Sequence, residues 1–278
     1  MSSDPRTLLA RPDLADERLE GLVRAERFAA VRPMRCAAGI AVIRRAPDEG
    51  SEQQDQLLFG ESFDVLDDQD GWCWGQAARD GYVGFVWRDQ LAPQGGAPSH
   101  RIGALRTFGY CRPDLKSATL GSFSLNALVR AGRSENGFVE AGEAGWIHAG
   151  HLAPIGEFDT DFTATAERFL GSPYLWGGRD SLGLDCSGLI QQAFYACGRG
   201  CPRDTDQQMA AFDRPAPLSE LSRGDLVFWR GHVGVMLDGL TLLHANAFHM
   251  AVAIEPLAAA VTRIKSSGSG ELMALRRP

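Results

Sequence analysis

Cys186, His232 and His244 are the residues of this 278-residue chain whose types and spacing suit covalent chemistry. A cysteine works as a nucleophile when a base takes its proton and a third group orients that base. Cys186 stands in Leu184-Asp185-Cys186-Ser187-Gly188-Leu189-Ile190, with Ala193 and Phe194 continuing one apolar face. This spacing predicts a helix over residues 186–197. At a helix start the sulfur meets the positive end of the helix dipole, which favours thiolate. Asp185 suits the N-cap, and small Ser187 and Gly188 leave the sulfur accessible. His232 opens a predicted strand over residues 232–237, and His244 lies at the end of the next, over residues 241–245. A tight antiparallel turn at Asp238-Gly239 would bring both imidazoles into one neighbourhood. The implied chemistry is acyl transfer: Cys186 as nucleophile, His232 as base and acid, His244 as the group that orients His232. Taken singly, a cysteine before an apolar helix reads as a packed small hydrophobe. A histidine at a strand start reads as structural; the joint pattern points to catalysis.

The elements that must position these groups follow from periodicity. From Asp161 onward, helix and strand patterns alternate, with a helix over 162–170 and a further strand over 225–229. A helix carrying the nucleophile ahead of a β-meander is an α+β layout. Residues 37–154 read as short β runs broken by Gly, Asp and Pro. Both halves of that stretch close on Leu-Ala-Pro, at Leu91-Ala92-Pro93 and Leu152-Ala153-Pro154. This is an internal repeat of about 60 residues, and it predicts two tandem small β-barrels. Residues 94–99 supply the linker between them. In residues 13–28, apolar side chains at 15, 19, 22 and 23 predict a short helix capped by Asp13. The expected organisation is an N-terminal helical segment over 1–36, β-barrels over 37–94 and 100–154, and a catalytic domain over 161–278.

Bulk properties exclude several functions. The net charge is −7 and the isoelectric point about 5.4, which gives no basic footprint for nucleic acid and argues against anionic membranes. No stretch approaches the roughly 18 apolar residues of a membrane span. The N-terminal apolar run stops at Leu8-Leu9-Ala10, short of the roughly 7–15 residues of a signal peptide, so the expected location is the cytoplasm. The six cysteines, Cys36, Cys73, Cys111, Cys186, Cys197 and Cys201, are then expected as reduced thiols. No two CxxC or HxxxH pairs stand at ligand spacing, and nothing points to a metal or an organic cofactor.

Five motifs now fall in order: Tyr174-Leu175-Trp176-Gly177-Gly178, Asp185-Cys186-Ser187-Gly188-Leu189, Arg223-Gly224-Asp225-Leu226, His232-Val233-Gly234-Val235 and Leu243-His244-Ala245. Together they resemble the NlpC/P60 peptidases, whose papain-like fold uses a cysteine, a histidine and a third polar residue. The β repeats, each with a Gly-aromatic step near its end, resemble bacterial SH3 domains. The resemblance implies that Tyr174 stabilises the oxyanion or the substrate, and that Asp185 and Ser187 contact a γ-glutamyl group. A narrower group, the YkfC-like enzymes, carries two SH3 domains. By that likeness Asp204 of Pro202-Arg203-Asp204-Thr205 helps hold a free substrate amine, with Thr205 beside it. Tyr82 and an acidic residue, Asp48 or its neighbour Glu49, would complete the cage.

A buried ammonium needs carboxylates to offset its desolvation, and an aromatic wall adds cation–π attraction. Such a site accepts a free N-terminus and rejects a stem amide-linked to muramic acid. The expected substrate is therefore a murein tripeptide or tetrapeptide beginning with free L-Ala, cut between γ-D-Glu and meso-diaminopimelate or L-Lys. Rival expectations are a secreted hydrolase of intact wall, a silent binding module built on the barrels, and an acyl transferase on the same fold. The oligomeric state is not written in the sequence.

Overall fold

The computed structural model describes residues 4–267 and 270–278; residues 1–3 of the expected N-terminal segment and 268–269 of the expected catalytic domain lie outside them. The chain divides into two compact units, one ending at Ile155 and one running from Gly156 to Pro278.

The first unit is built of β-structure. The helix expected over residues 13–28 is not formed. Ala15–Asp16 instead pairs in parallel with Phe28–Ala29, and only a 3-10 turn, Glu17–Leu19, lies between them. Gly21 adopts φ +77°, which breaks a helix at that point. Leu9 and Leu14 cluster with Trp74, so apolar contact is made by an extended strap. Leu22, which a helical stripe would bury, is 56% exposed. The cap is Asp16 rather than Asp13, its side chain accepting from the Arg18 N–H.

Seven strands between Arg32 and Pro93 form one antiparallel sheet around Ile43, Leu57, Phe63, Cys73 and Val86. Residues 100–154 add a three-stranded and a five-stranded sheet. Besides the first region's own core, a second cluster joins the two β regions. Leu58 and Phe59 of the first cluster with Ile102, Phe123, Val129 and Ile147 of the second. Gly60 sits at that junction with φ +78°, and a Cβ there would come within 2.1 Å of the Leu128 carbonyl.

The second unit is α+β. Its sheet is an antiparallel meander of Ala251–Pro256, Thr241–Asn246, His232–Met236 and Leu226–Trp229, closed on the far edge by Ala274–Arg276. The central strands are apolar on both faces, with Val227, Phe228, Trp229, Val233 and Val235 buried. Fully burying one such side chain contributes about 1.5–3 kcal/mol. Among the described residues four helices accompany the sheet: α1 (Phe162–Glu167), α2 (Cys186–Ala196), α3 (Thr205–Ala211) and α4 (Leu257–Ser266). Helix α2 is buried along its whole length and packs against the strands of His232 and His244. Asp161 caps α1, accepting from the N–H groups of Thr163 and Ala164, a contact worth about 1 kcal/mol. Arg223 pairs with both Asp161 and Glu167, while Asp225 is buried on Arg277 at 2.7 Å. The Arg223-Gly224-Asp225 motif thus anchors the entry to the sheet. Among the described residues no helix is long and apolar enough to cross a membrane.

Candidate active site

Three polar side chains line up across three neighbouring strands. In an antiparallel pair, opposed residues point to the same face, and so do residues two apart on one strand. Val235 pairs with Leu243, which places His232 one diagonal step from His244 on one face. Leu242 pairs with Glu255 and His244 with Ala253, which places Glu255 one further diagonal step away. The contacts follow that register. His232 Nε2 lies 2.8 Å from His244 Nδ1, and His244 Nε2 lies 2.7 Å from Glu255 Oε1. Arg263 of α4 closes the line as the ion-pair partner of Glu255. Gly234 makes room for the ladder: a Cβ there would stand 2.7 Å from Leu242 Cδ1 and 3.1 Å from His244 Cβ.

Cys186 is the first residue of α2 and is almost wholly buried. Asp185 caps the helix by accepting from the Gly188 N–H at 2.8 Å. Its other contacts are the Gly177 N–H at 2.9 Å, the Ser187 hydroxyl at 3.2 Å and a fork from Arg203 at 3.0 and 2.7 Å. Arg203, itself buried, also donates to the Ser187 hydroxyl at 2.9 Å. Such a bidentate guanidinium–carboxylate pair fixes geometry as well as charge. Gly188 allows the close approach this requires, since a Cβ there would meet the Gly178 carbonyl at 2.3 Å.

Electrostatics correct one expectation. The helix start alone would favour thiolate, but burial, with the Asp185 carboxylate behind it, pushes the Cys186 thiol up to about 12. The N–H groups of Val233 and Ser187 and the Arg203 charge pull it down and do not prevail. Burial likewise drives His232 down to about 3, reinforced by His244 and Arg263. His244 falls to about 3 from burial first, then from Arg263 and His249. At neutral pH the resting site therefore holds a thiol and two neutral imidazoles. The thiol contacts the carbonyl of Gly231, the residue before His232, at 3.9 Å.

This geometry agrees with three comparisons. Residues 171–266 match the NlpC/P60 family, and residues 43–91 match the bacterial dipeptidyl-peptidase SH3 domain. The γ-D-glutamyl-L-lysine dipeptidyl-peptidase of Bacillus subtilis (strain 168) is 30% identical over 251 residues, covering 81% of this chain and 80% of that protein. The chain belongs to the NlpC/P60 family. Dipeptidyl-peptidase 6 of Lysinibacillus sphaericus is 24% identical over 236 residues, covering 75% of this chain and 86% of that one. A crystal structure of an NlpC/P60 family protein from Bacillus cereus ATCC 10987 superposes with a TM-score of 0.74 at 19% identity. It covers 88% of this chain and 99% of the other, and shares the fold.

In this NlpC/P60 cysteine peptidase the other expected residues fall into two groups. Tyr174, Asp185, Ser187, Asp204 and Thr205 belong to the second unit with the cysteine and the histidines. Tyr174 is half-buried, and burial, then the nearby Cys186 and Asp185, raise its phenol above the ordinary range. An open groove of about 440 Å³ runs past it, lined also by Arg230, His232, Asn246, Phe248 and Arg263. Asp204 forms a capping box with Gln207 at the start of α3, and Thr205 is that helix's first residue. Gln208 ties α3 to α2 by donating to the Ser187 carbonyl at 3.0 Å. Tyr82, Asp48 and Glu49 belong to the first unit. Tyr82 is buried within that unit's core cluster. Asp48 is exposed, its carboxylate accepting from the Gly50 N–H at 2.8 Å in a turn, and Glu49 borders a groove with Arg44, Trp72 and Trp87.

Two residues that touch the site were not assigned from the sequence. Arg203 sits in a segment that resembles a solvated charge cluster, yet it is 1% exposed. Glu255 lies in Ala251-Val252-Ala253-Ile254-Glu255, where the apolar Ile254 faces solvent and Glu255 turns inward, toward His244. All six cysteines are free thiols.

Proposed function

We propose that this peptidase hydrolyses the γ-D-glutamyl–diamino acid bond of peptidoglycan-derived peptides with a free N-terminal L-Ala. The products are L-Ala-γ-D-Glu and the remaining diamino acid or peptide, as in cytoplasmic recycling of murein fragments. The observation that carries this reading is the His232–His244 contact of 2.8 Å, with the Cys186 sulfur 3.9 Å from the carbonyl of Gly231, the residue before His232. Similarity along most of the chain to a γ-D-glutamyl-L-lysine dipeptidyl-peptidase supports the substrate class.

The sulfur attacks the γ-carbonyl carbon while His232 takes the thiol proton. A neutral imidazole is the right form for this step. The developing oxyanion is met by the Cys186 N–H at the first turn of α2 and by the Tyr174 hydroxyl. Collapse of the tetrahedral adduct breaks the C–N bond, and His232 returns its proton to the leaving amine. Water, deprotonated by the same imidazole, then cleaves the thioester. In this reading Asp185 and Ser187, fixed by Arg203, shape the pocket for the γ-glutamyl group. Tyr82, Asp48, Asp204 and Thr205 are assigned to recognition of the free amine, and residues 100–154 are read as a second SH3-like copy.

A digest followed by mass spectrometry tests the reading. The substrates are L-Ala-γ-D-Glu-meso-diaminopimelate with its amine free or acetylated, given to the native protein and to Cys186→Ala. Cleavage of the free peptide alone, lost in the variant, is the expected result. Equal cleavage of both peptides would keep the peptidase but remove the amine preference and favour action on intact wall.

A further inference from the structure

We propose that Glu255, held by Arg263, is a positioning residue that sets the tautomers of both His244 and His232. The inference rests on the reading of Cys186 as nucleophile and His232 as base, and deepens it. A carboxylate can only accept hydrogen bonds. Glu255 Oε1 stands 2.7 Å from His244 Nε2, so that nitrogen carries the hydrogen. A neutral imidazole has one N–H, and His244 Nδ1 is therefore an acceptor. His232 Nε2, 2.8 Å away, must donate to it. The one hydrogen of His232 is then committed, and its Nδ1 keeps a free lone pair for the thiol proton.

The two rings act in series, so a change at Glu255 propagates through both. With a donor in its place, His244 would carry its hydrogen on Nδ1 and His232 on Nδ1 as well. The base nitrogen would then be blocked without any movement of either ring. The groups facing His244 are His232 on the adjacent strand, Glu255 on the other, Arg263 on α4, and His249 from the loop after Asn246. Of these, Glu255 is the anion. It also offsets the charge that His232 acquires on taking the thiol proton, against the Arg263 guanidinium that opposes that charge. Arg263 is itself fixed, its guanidinium 4.4 Å above the Phe248 ring.

The test uses the full-length protein and two readouts that need no substrate. The first is the side-chain nitrogen spectrum of the six histidines in ¹⁵N-histidine-labelled protein, with His244 and His232 assigned through His→Asn variants. Both are expected as Nε2–H tautomers. The second is the rate at which iodoacetamide alkylates Cys186, read as the mass of its own peptide. Glu255→Gln, which keeps the shape and removes the obligatory acceptor, is expected to slow alkylation and lower kcat by about 10–100-fold with KM within twofold. Glu255→Asp is expected to recover part of the loss. A native His244 in the Nδ1–H form overturns the proposal. So does an unchanged alkylation rate and kcat in Glu255→Gln. Peptide hydrolysis that survives in Cys186→Ala would instead sink the functional reading, and the tautomer assignment would stand or fall on the spectrum alone.

Discussion

On the sulfur side of the site, the chain neighbours of Cys186 are locked by one buried guanidinium; on the imidazole side, three strands each contribute one group to a diagonal line. Arg203 and Asp185 form a fully opposed ion pair away from solvent, with Ser187 and two backbone N–H groups completing the carboxylate's shell. His232 and His244 carry no charge at rest, and the anion of their line, Glu255, lies at its end beside a partly exposed Arg263. The difference is one of function. Charge on the sulfur side holds α2 and the nucleophile in place. Charge on the imidazole side sits with Glu255, two hydrogen bonds from the reacting atoms, where it acts on protons through the two imidazoles. Damage to the first should be read in folding, and damage to the second in rate.

The largest expected effect lies at the groups both sides serve. Cys186→Ala and His232→Ala should each lower hydrolysis of the free tripeptide by at least about 10³-fold while leaving the urea midpoint nearly unchanged. Substantial turnover in either variant would end the comparison, since the two sides would no longer converge on one reaction. Next comes Arg203→Met. It leaves the Asp185 carboxylate buried without its partner, a loss of about 3–5 kcal/mol. Urea unfolding followed by tryptophan fluorescence should show it. Were Arg203→Met instead fully stable but slow, the guanidinium would belong to the chemistry and not to the scaffold.

How the site could be read from the sequence follows the same division. Cys186, Asp185 and Ser187 are consecutive, and the apolar face behind them marks the helix, so local spacing was enough. His232 and His244 fall together because a short hairpin fixes their register. Glu255 needed one more strand of register, and its signal is an inverted pattern, with Ile254 outward and the acid inward. Arg203 gave no local signal at all, because its partner lies 18 residues back in the chain. In the N-terminal segment a clear local pattern is overridden. Apolar residues at helical spacing were real, but contacts of Leu9 and Leu14 with Trp74, and the left-handed Gly21, favoured an extended strap.

Acid separates the two sides further. His232 and His244, held near 3 when folded, are each close to their ordinary 6.5 in the unfolded chain. Between those values the unfolded state binds more protons, so stability rises with pH there and is lost as pH falls from 6.5 towards 3. For the fully buried His244 the loss is on the order of 2 kcal/mol at pH 5. The same shift means that the base stays unprotonated in the folded enzyme. We expect kcat/KM to be level from pH 7.5 to about 5, while the urea midpoint drops over the same range. A fall in kcat/KM centred near pH 6.5 with constant stability would show an ordinary solvated imidazole and overturn the burial argument.

The smallest effect concerns Asp204, which lies on the sulfur side through α3 and the Gln208 contact with Ser187. Its capping role and its proposed charge role can be separated by substitution. Asn caps a helix about as well as Asp, whereas Ala costs about 1 kcal/mol. Asp204→Asn should therefore keep the urea midpoint and Asp204→Ala should lower it slightly. If the carboxylate also meets the substrate ammonium, both variants raise KM for the free peptide by about tenfold, the loss of a charge-assisted contact. They leave any residual cleavage of the acetylated peptide unchanged. Equal kinetics in native protein and Asp204→Asn would make Asp204 a cap and nothing more. Selection of the free amine would then have to come from other residues.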